Sequence, residues 1–371
     1  MPNQQAASAP QVDSGRPVAS AQVQTVLGPV PADSLGRVMV HEHLLSLVPG
    51  PWQSGGAADD RVDLAVRALS SLAAAGVGTV VDISPYGVVG RDDDGANAVL
   101  LREIAERTGL NIVSGTAVYL EAYSPRWALE ASLDELTARF VADATTGIGE
   151  TGVVAGVLGE QATSLGVITP HEEKCLRASA RASNETGLGI MTHTTHGTMA
   201  HEQIDILRAE GVDLGGVVIG HMDTQLSVDF VRSVNDRGVN VAIDTIGKET
   251  WEFFVGPPEQ DPPDGEFVKH AFHRADAHRA DLVAALVADG RTDTVFLASD
   301  LTGAEVWMNP GTHGRQGYNY LIDSFLPLLH ERGVTAEQCD TMLVANPARL
   351  LGVHPGAHRG GSLGGSQLHR R

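Results

Sequence analysis

Cysteine is nearly absent: the 371 residues hold two, Cys175 and Cys339, far apart and without metal-like spacing. That excludes a disulfide framework and a cysteine-ligated zinc, and leaves two buried free thiols as the expectation. Basic residues are also scarce, 26 Lys and Arg against 46 Asp and Glu, for a formal charge of −20. Nucleic acid and anionic membrane are thereby excluded as partners, since phosphate surfaces demand clustered Lys and Arg. Residues 1–20 lack a basic start followed by an apolar stretch, so they do not read as a signal peptide, and a cytoplasmic protein is expected. No glycine-rich phosphate loop follows the first strand-like run. The doubly wound open sheet is left as the weaker of two fold readings.

What the chain does have is alternation. Apolar β-type runs at 36–43, 78–83, 111–119, 153–160, 187–193, 216–221, 239–244 and 294–300 are separated by helical patterns at 61–75, 97–108, 133–144, 171–186, 200–210, 226–236, 279–289 and 318–332. Several runs are almost continuous in Val, Ile and Leu, as strands buried on both faces require. Asp92-Asp93-Asp94-Gly95 and Thr169-Pro170 signal a turn or a helix start before the second and fourth helices. Eight strand–helix repeats without a composition break predict a TIM (β/α)8 barrel over 21–355 with enlarged seventh and eighth strand-to-helix loops. Polar tails at 1–20 and 356–371 flank it.

Polar side chains end many of these apolar runs. His41 and His43 close the first, and two imidazoles two residues apart on a strand project to the same side, within reach of one metal ion. Glu160, His193, His221 and Asp300 close the fourth, fifth, sixth and eighth runs. Each alone reads equally as a satisfied buried polar residue or a helix cap. Six at matched positions would need six separate burial explanations, whereas strand ends of a barrel converge on one mouth, where active sites sit.

These residues also carry a resemblance. The opening from Val23 to Val30, leading into Leu35-Gly36-Arg37 and His41-Glu42-His43, resembles that of the phosphotriesterase family of the amidohydrolase superfamily. Thr192-His193-Thr194, Ile219-Gly220-His221 and Phe296-Leu297-Ala298-Ser299-Asp300 resemble its later strand endings, and Asn346-Pro347-Ala348-Arg349 its closing helix. The likeness implies two divalent metal ions, one held by His41, His43 and Asp300, the other by His193 and His221. Many members bridge the ions with a carboxylated lysine at the position of Glu160. Here the only lysines are Lys174, Lys248 and Lys269, and none ends the fourth strand. A glutamate supplies the same two oxygens, as in a branch of the family that Asp244-Thr245-Ile246-Gly247-Lys248 and Gly317-Tyr318-Asn319-Tyr320-Leu321 also resemble. Histidine-rich ligation favours zinc, while manganese, cobalt and iron also suit N/O donors. A homodimer and a small-molecule substrate are implied as well.

Two ions about 3.5–4 Å apart lower the pKa of a shared water and produce a nucleophilic hydroxide near neutral pH. Asp300 would then shuttle the proton to the leaving group. Tyr119 resembles a tyrosine that lactonase members set beside the water, and equally reads as a rim aromatic. Trp251 and Trp307, in the seventh and eighth loops, and His196 are the candidate substrate contacts. Organophosphate-hydrolysing members carry a proton relay where Thr224 and Thr245 stand here, and lactonases often carry an arginine at the latter. The leading expectation is a hydrolase of an ester, lactone or amide carbonyl. Phosphotriester hydrolysis, a deaminase or decarboxylase on the same scaffold, and a non-catalytic metal-stabilised binding protein are the alternatives.

Overall fold

The computed structural model describes residues 21–46, 58–225, 227–248, 253–255, 269–271, 275–301 and 317–353. Trp251, Trp307, the two tails and most of the seventh and eighth loops lie outside them.

A hairpin of β1 (Gln22–Thr25) and β2 (Gly28–Pro31) precedes the barrel. Its strands are β3 (Arg37–Glu42), β4 (Val77–Asp82), β5 (Asn111–Thr116), β6 (Val157–Thr163), β7 (Ile190–Thr194), β8 (Val217–Ile219), β9 (Asn240–Ile243) and β12 (Val295–Leu297). They pair parallel, each with the next in that sequence. The ends meet through backbone bonds, Asp300 N–H to His41 O at 2.9 Å and His43 N–H to Leu301 O at 3.0 Å. A short pair, β10 (Phe253–Val255) and β11 (Lys269–Ala271), lies in the seventh loop. Eight parallel strands in a nearly closed barrel with helices between them are the (β/α)8 architecture expected.

Helices α1 (Ala58–Leu69), α2 (Leu100–Thr108), α3 (Arg126–Glu130), α4 (Leu133–Thr145), α5 (Pro170–Thr186), α6 (Ala200–Ala209), α7 (Val228–Asn235) and α8 (Asp276–Ala288) follow the strands. Starts are written locally. Ser132 with Glu135, and Thr169 with Glu172, form reciprocal capping boxes, and Pro170 takes the first turn, where its missing N–H goes unneeded. Val38, Val40, Val81, Val113, Val157, Met191, Val218, Ala242 and Phe296 make one fully buried apolar cluster. Each large aliphatic there contributes roughly 1.5–3 kcal/mol relative to an exposed position. No helix among the described residues is long and apolar enough to cross a membrane.

Several expected boundaries need correction: the eighth strand, expected over 294–300, is Val295–Leu297, so Asp300 lies beyond it, and the first helix, expected over 61–75, ends at Leu69. The fourth strand runs from Val157 to Thr163 rather than over 153–160, so Glu160 sits inside β6 and not at its end. The third stops at Thr116, which places Tyr119 in the loop beyond it. The last helix, expected over 318–332, is a π-turn at Leu321–Phe325 followed by an α-segment at Leu326–His330. A Pro at 327 lacks the N–H that a continuous α-ladder would use.

Candidate active site

The glycines before two site residues are dictated by the neighbouring strand. A Cβ on Gly159 would lie 2.6 Å from Met191 O, and one on Gly220 would run into Thr192 O, so only glycine lets β6 and the end of β8 approach β7 this closely. Glu160 and His221 follow directly. His221 and Asp300 both take left-handed backbone, φ 56° and 50°. Non-glycine residues adopt that conformation rarely, and such residues cluster at functional sites.

Glu160 within β6 and the ends of β3, β7, β8 and the eighth barrel strand bring all six expected ligands together. Glu160 lies between the two histidine pairs. Its Oε1 is 3.4 Å from His43 Nε2, and its Oε2 is 3.3, 3.1 and 3.6 Å from His41 Nε2, His193 Nδ1 and His221 Nε2. Asp300 Oδ1 is 3.0 Å from His43 Nε2 and 3.7 Å from His41 Nε2. His221 Nε2 and His193 Nδ1 face each other at 2.8 Å. The tyrosine hydroxyl of Tyr119 is 3.3 Å from His193 Nε2. His196 is half-buried on left-handed backbone, φ 59°, in the turn after β7.

Electrostatics couple the cluster. Burial drives the Glu160 carboxyl up, but His41, His193 and His221 more than reverse this and hold it well below the usual carboxylate range. Burial likewise lowers His41, and the Glu160 and Asp244 carboxylates overcome it, raising the ring to about 10. His193 moves the other way, lowered by burial and by His221. Asp300 is held far down by Lys248, His43, His221 and His41 against its burial.

Two groups in this network went unassigned in the sequence. Asp244, just past β9, has Oδ2 2.9 Å from His41 Nδ1 and Oδ1 3.0 Å from His221 Nδ1, and it also accepts the His221 backbone N–H at 2.9 Å. Its signal was the one that marked Asp300, an acid closing an apolar run. Lys248 Nζ lies 2.6 Å from Asp300 Oδ2. Nothing in sequence spacing announces that pair, because 52 residues separate the two.

The donor set suits divalent ions. His41 is fully buried, yet neither ring nitrogen makes a well-aligned hydrogen bond within the protein. Its Nε2 points between Glu160 Oε2 at 3.3 Å and Asp300 Oδ1 at 3.7 Å, a mixed N/O donor set of the kind that divalent ions take. Among the described residues three groups have ligand atoms within 4.8 Å of one another: His41, His43 and Glu160; His41, His221 and Asp244; and Glu160, His193 and His221.

The sequence pattern of the Phosphotriesterase family matches residues 21–351. The chain belongs to that family. It is 31% identical to the phosphotriesterase homology protein of Escherichia coli (strain K12), over 86% of this chain and 99% of that protein. An aryldialkylphosphatase of Saccharolobus solfataricus is 27% identical, over 87% of this chain and 96% of its own length. Among solved structures, a mutant of a Deinococcus radiodurans PTE-like lactonase superposes with a TM-score of 0.73 at 30% identity, covering 89% of this chain and 100% of that one. As a member of this binuclear family, the protein is a metal-dependent hydrolase.

Proposed function

We propose that the family's two ions bind at this cluster and that the enzyme hydrolyses an ester, lactone or amide at its carbonyl. The observation that carries the reading is Glu160, one buried carboxylate within 3.6 Å of both histidine pairs, with Oε1 on His43 and Oε2 among His41, His193 and His221. His41, His43 and Asp300 would hold one ion and His193 and His221 the other, with Glu160 the carboxylate that would serve both. The imidazole-rich donor set favours zinc. Bound there, the ions supply an acidified water and a polarised substrate oxygen.

The chain's own groups do the rest. Asp300 turns Oδ1 to the histidines and Oδ2 to Lys248, so one oxygen is committed to the cluster while the carboxylate takes up the proton of the attacking water and returns it to the leaving group. Tyr119 keeps its proton at working pH, because burial and the Glu160 and Asp300 charges push the phenol well above its usual pKa. It can therefore donate a hydrogen bond to the substrate oxygen. Substrate contacts by Trp251, Trp307 and His196 belong to the same reading.

The named relatives divide between phosphotriester and lactone chemistry, so this chain's own residues have to decide. The Thr224 hydroxyl donates to His221 O at 2.5 Å. The Thr245 hydroxyl donates to Asp223 and accepts from Arg279. Neither supplies the proton-accepting imidazole or carboxylate of a phosphotriesterase relay. Carboxyl esters, lactones or amides should therefore exceed paraoxon-type substrates in kcat/KM by at least about tenfold, or about 1.4 kcal/mol in barrier. A substrate panel on protein of known metal content tests this. Phosphotriesters as the best substrates, with carbonyl compounds inert, would overturn the assignment and leave the fold standing.

The bridge has its own test. A genetically encoded carboxylate needs no carbon dioxide to assemble, so metal-stripped protein should regain activity equally fast with and without bicarbonate. A strong bicarbonate requirement would remove Glu160 from the bridging position.

A further inference from the structure

Outside the histidine cluster, three charged side chains are buried together: Asp223 and Asp276 at 0% exposure and Arg279 at 3%. Arg279 donates from Nε to Asp223 Oδ2 at 2.7 Å, from Nη1 to Asp276 Oδ1 at 2.7 Å, and from Nη2 to Thr245 Oγ1 at 2.9 Å. The carboxylates in turn accept from one short segment. Asp223 takes the N–H groups of Asp244 and Thr245, both at 3.2 Å, together with the Thr245 hydroxyl. Asp276 takes the N–H of Gly247 at 3.0 Å. The remaining amide, Ile246, donates to Ala298 O at 3.3 Å. All four consecutive amides from 244 to 247 are therefore occupied, three of them by a triad that lies elsewhere in the sequence.

The two ends of this segment carry groups of the active site. Asp244 faces the Nδ1 atoms of His41 and His221, and Lys248 faces Asp300. A buried acid–arginine–acid triad is a poor route to stability, since well-packed apolar residues of similar volume often serve as well or better. Its geometry points to another use. We propose that Arg279 is a positioning residue of the active site. By holding Asp223 and Asp276 as acceptors for the 244–247 backbone, it sets Asp244 against both histidine rings and Lys248 against Asp300. Arg279 touches none of the six ligands, and it acts on both halves of the site through one turn. The inference rests on the metal-hydrolase reading above and deepens it.

The test uses the full-length protein and the best substrate from the panel. Cobalt(II) affinity is followed by visible absorption, beside kcat, KM and Tm. Arg279→Met should weaken cobalt binding by about tenfold or more, as loss of groups that orient metal ligands typically does, with kcat at saturating metal falling comparably and KM nearly unchanged. Arg279→Lys, which keeps the charge but not the fork, should recover part of both losses. A merely structural role would lower Tm and leave the metal affinity and kcat of the folded protein at wild-type values, and that result would overturn the proposal. Should Arg279→Met fail to fold, Thr245→Val and Arg279→Lys decide by the same readouts. Losses in both support the proposal, and wild-type values in both sink it. Wild-type protein that binds no cobalt would instead defeat the metal-site reading itself, and this inference with it.

Discussion

Glu160→Gln is expected to lower kcat/KM by at least about a hundredfold and to reduce the metal content below two ions per chain. Glutamine keeps the volume of the side chain within β6, where the position is 2% exposed, so the barrel should still fold. What disappears is the charge. Among the described residues Glu160 is the one carboxylate within 3.6 Å of all four histidine rings, and a neutral amide offers a single weaker acceptor plus a donor NH2 turned toward ring nitrogens. Elemental analysis and initial rates on the same preparation check the result. Full activity with an unchanged metal content would remove Glu160 from the site, and His41→Ala, His193→Ala and Asp300→Ala are to be judged by that standard too.

Asp244→Asn should weaken metal binding by roughly ten- to a hundredfold without changing the fold. The effect runs through the histidine tautomers. Asp244 sets Oδ2 2.9 Å from His41 Nδ1 and Oδ1 3.0 Å from His221 Nδ1, so with metal bound it would favour a proton on each Nδ1 and leave each Nε2 free to act as a ligand. The amide nitrogen of Asn would present a donor to one of the two rings, pushing that ring's proton to Nε2 and into the ligand direction. Burial of Asp244 at 0% means no water can restore the acceptor cheaply. Titration with zinc or cobalt, with Tm measured on the metal-free protein, separates this effect from loss of folding. Unchanged affinity would mean that Asp244 does not set the tautomers.

The periodic information in the sequence was strong where burial imposes it. Val38-Met39-Val40 and Val217-Val218-Ile219 read as buried strands because parallel barrel strands are covered on both faces, and the structure has them as β3 and β8. Thr169-Pro170 announced the start of α5, and the structure adds the Thr169–Glu172 capping box, because an orphaned N–H must find an acceptor within one turn. The hairpin β1/β2 was not recognised as such. Its four-residue strands, one carrying prolines at 29 and 31, are too short to show a period.

The end of β6 was misread for a related reason. Gln161 and Thr163 are polar, so they looked like the loop beyond a strand, whereas both are fully buried in the strand itself. Sequence alone determined the barrel and the six ligand candidates, since they depend on residue type and strand period, which are local; the glutamate in place of a lysine was legible only through the family resemblance. Only the tertiary structure decided that Asp244 serves two histidines, that Lys248 meets Asp300, and that a triad from 223, 276 and 279 fastens the turn between them. Apart from the Arg279–Asp276 pair within α8, those contacts join residues about 20 to more than 200 positions apart, and their partners are chosen by how β9, α8 and the strand-end loops pack, a choice that no local pattern records.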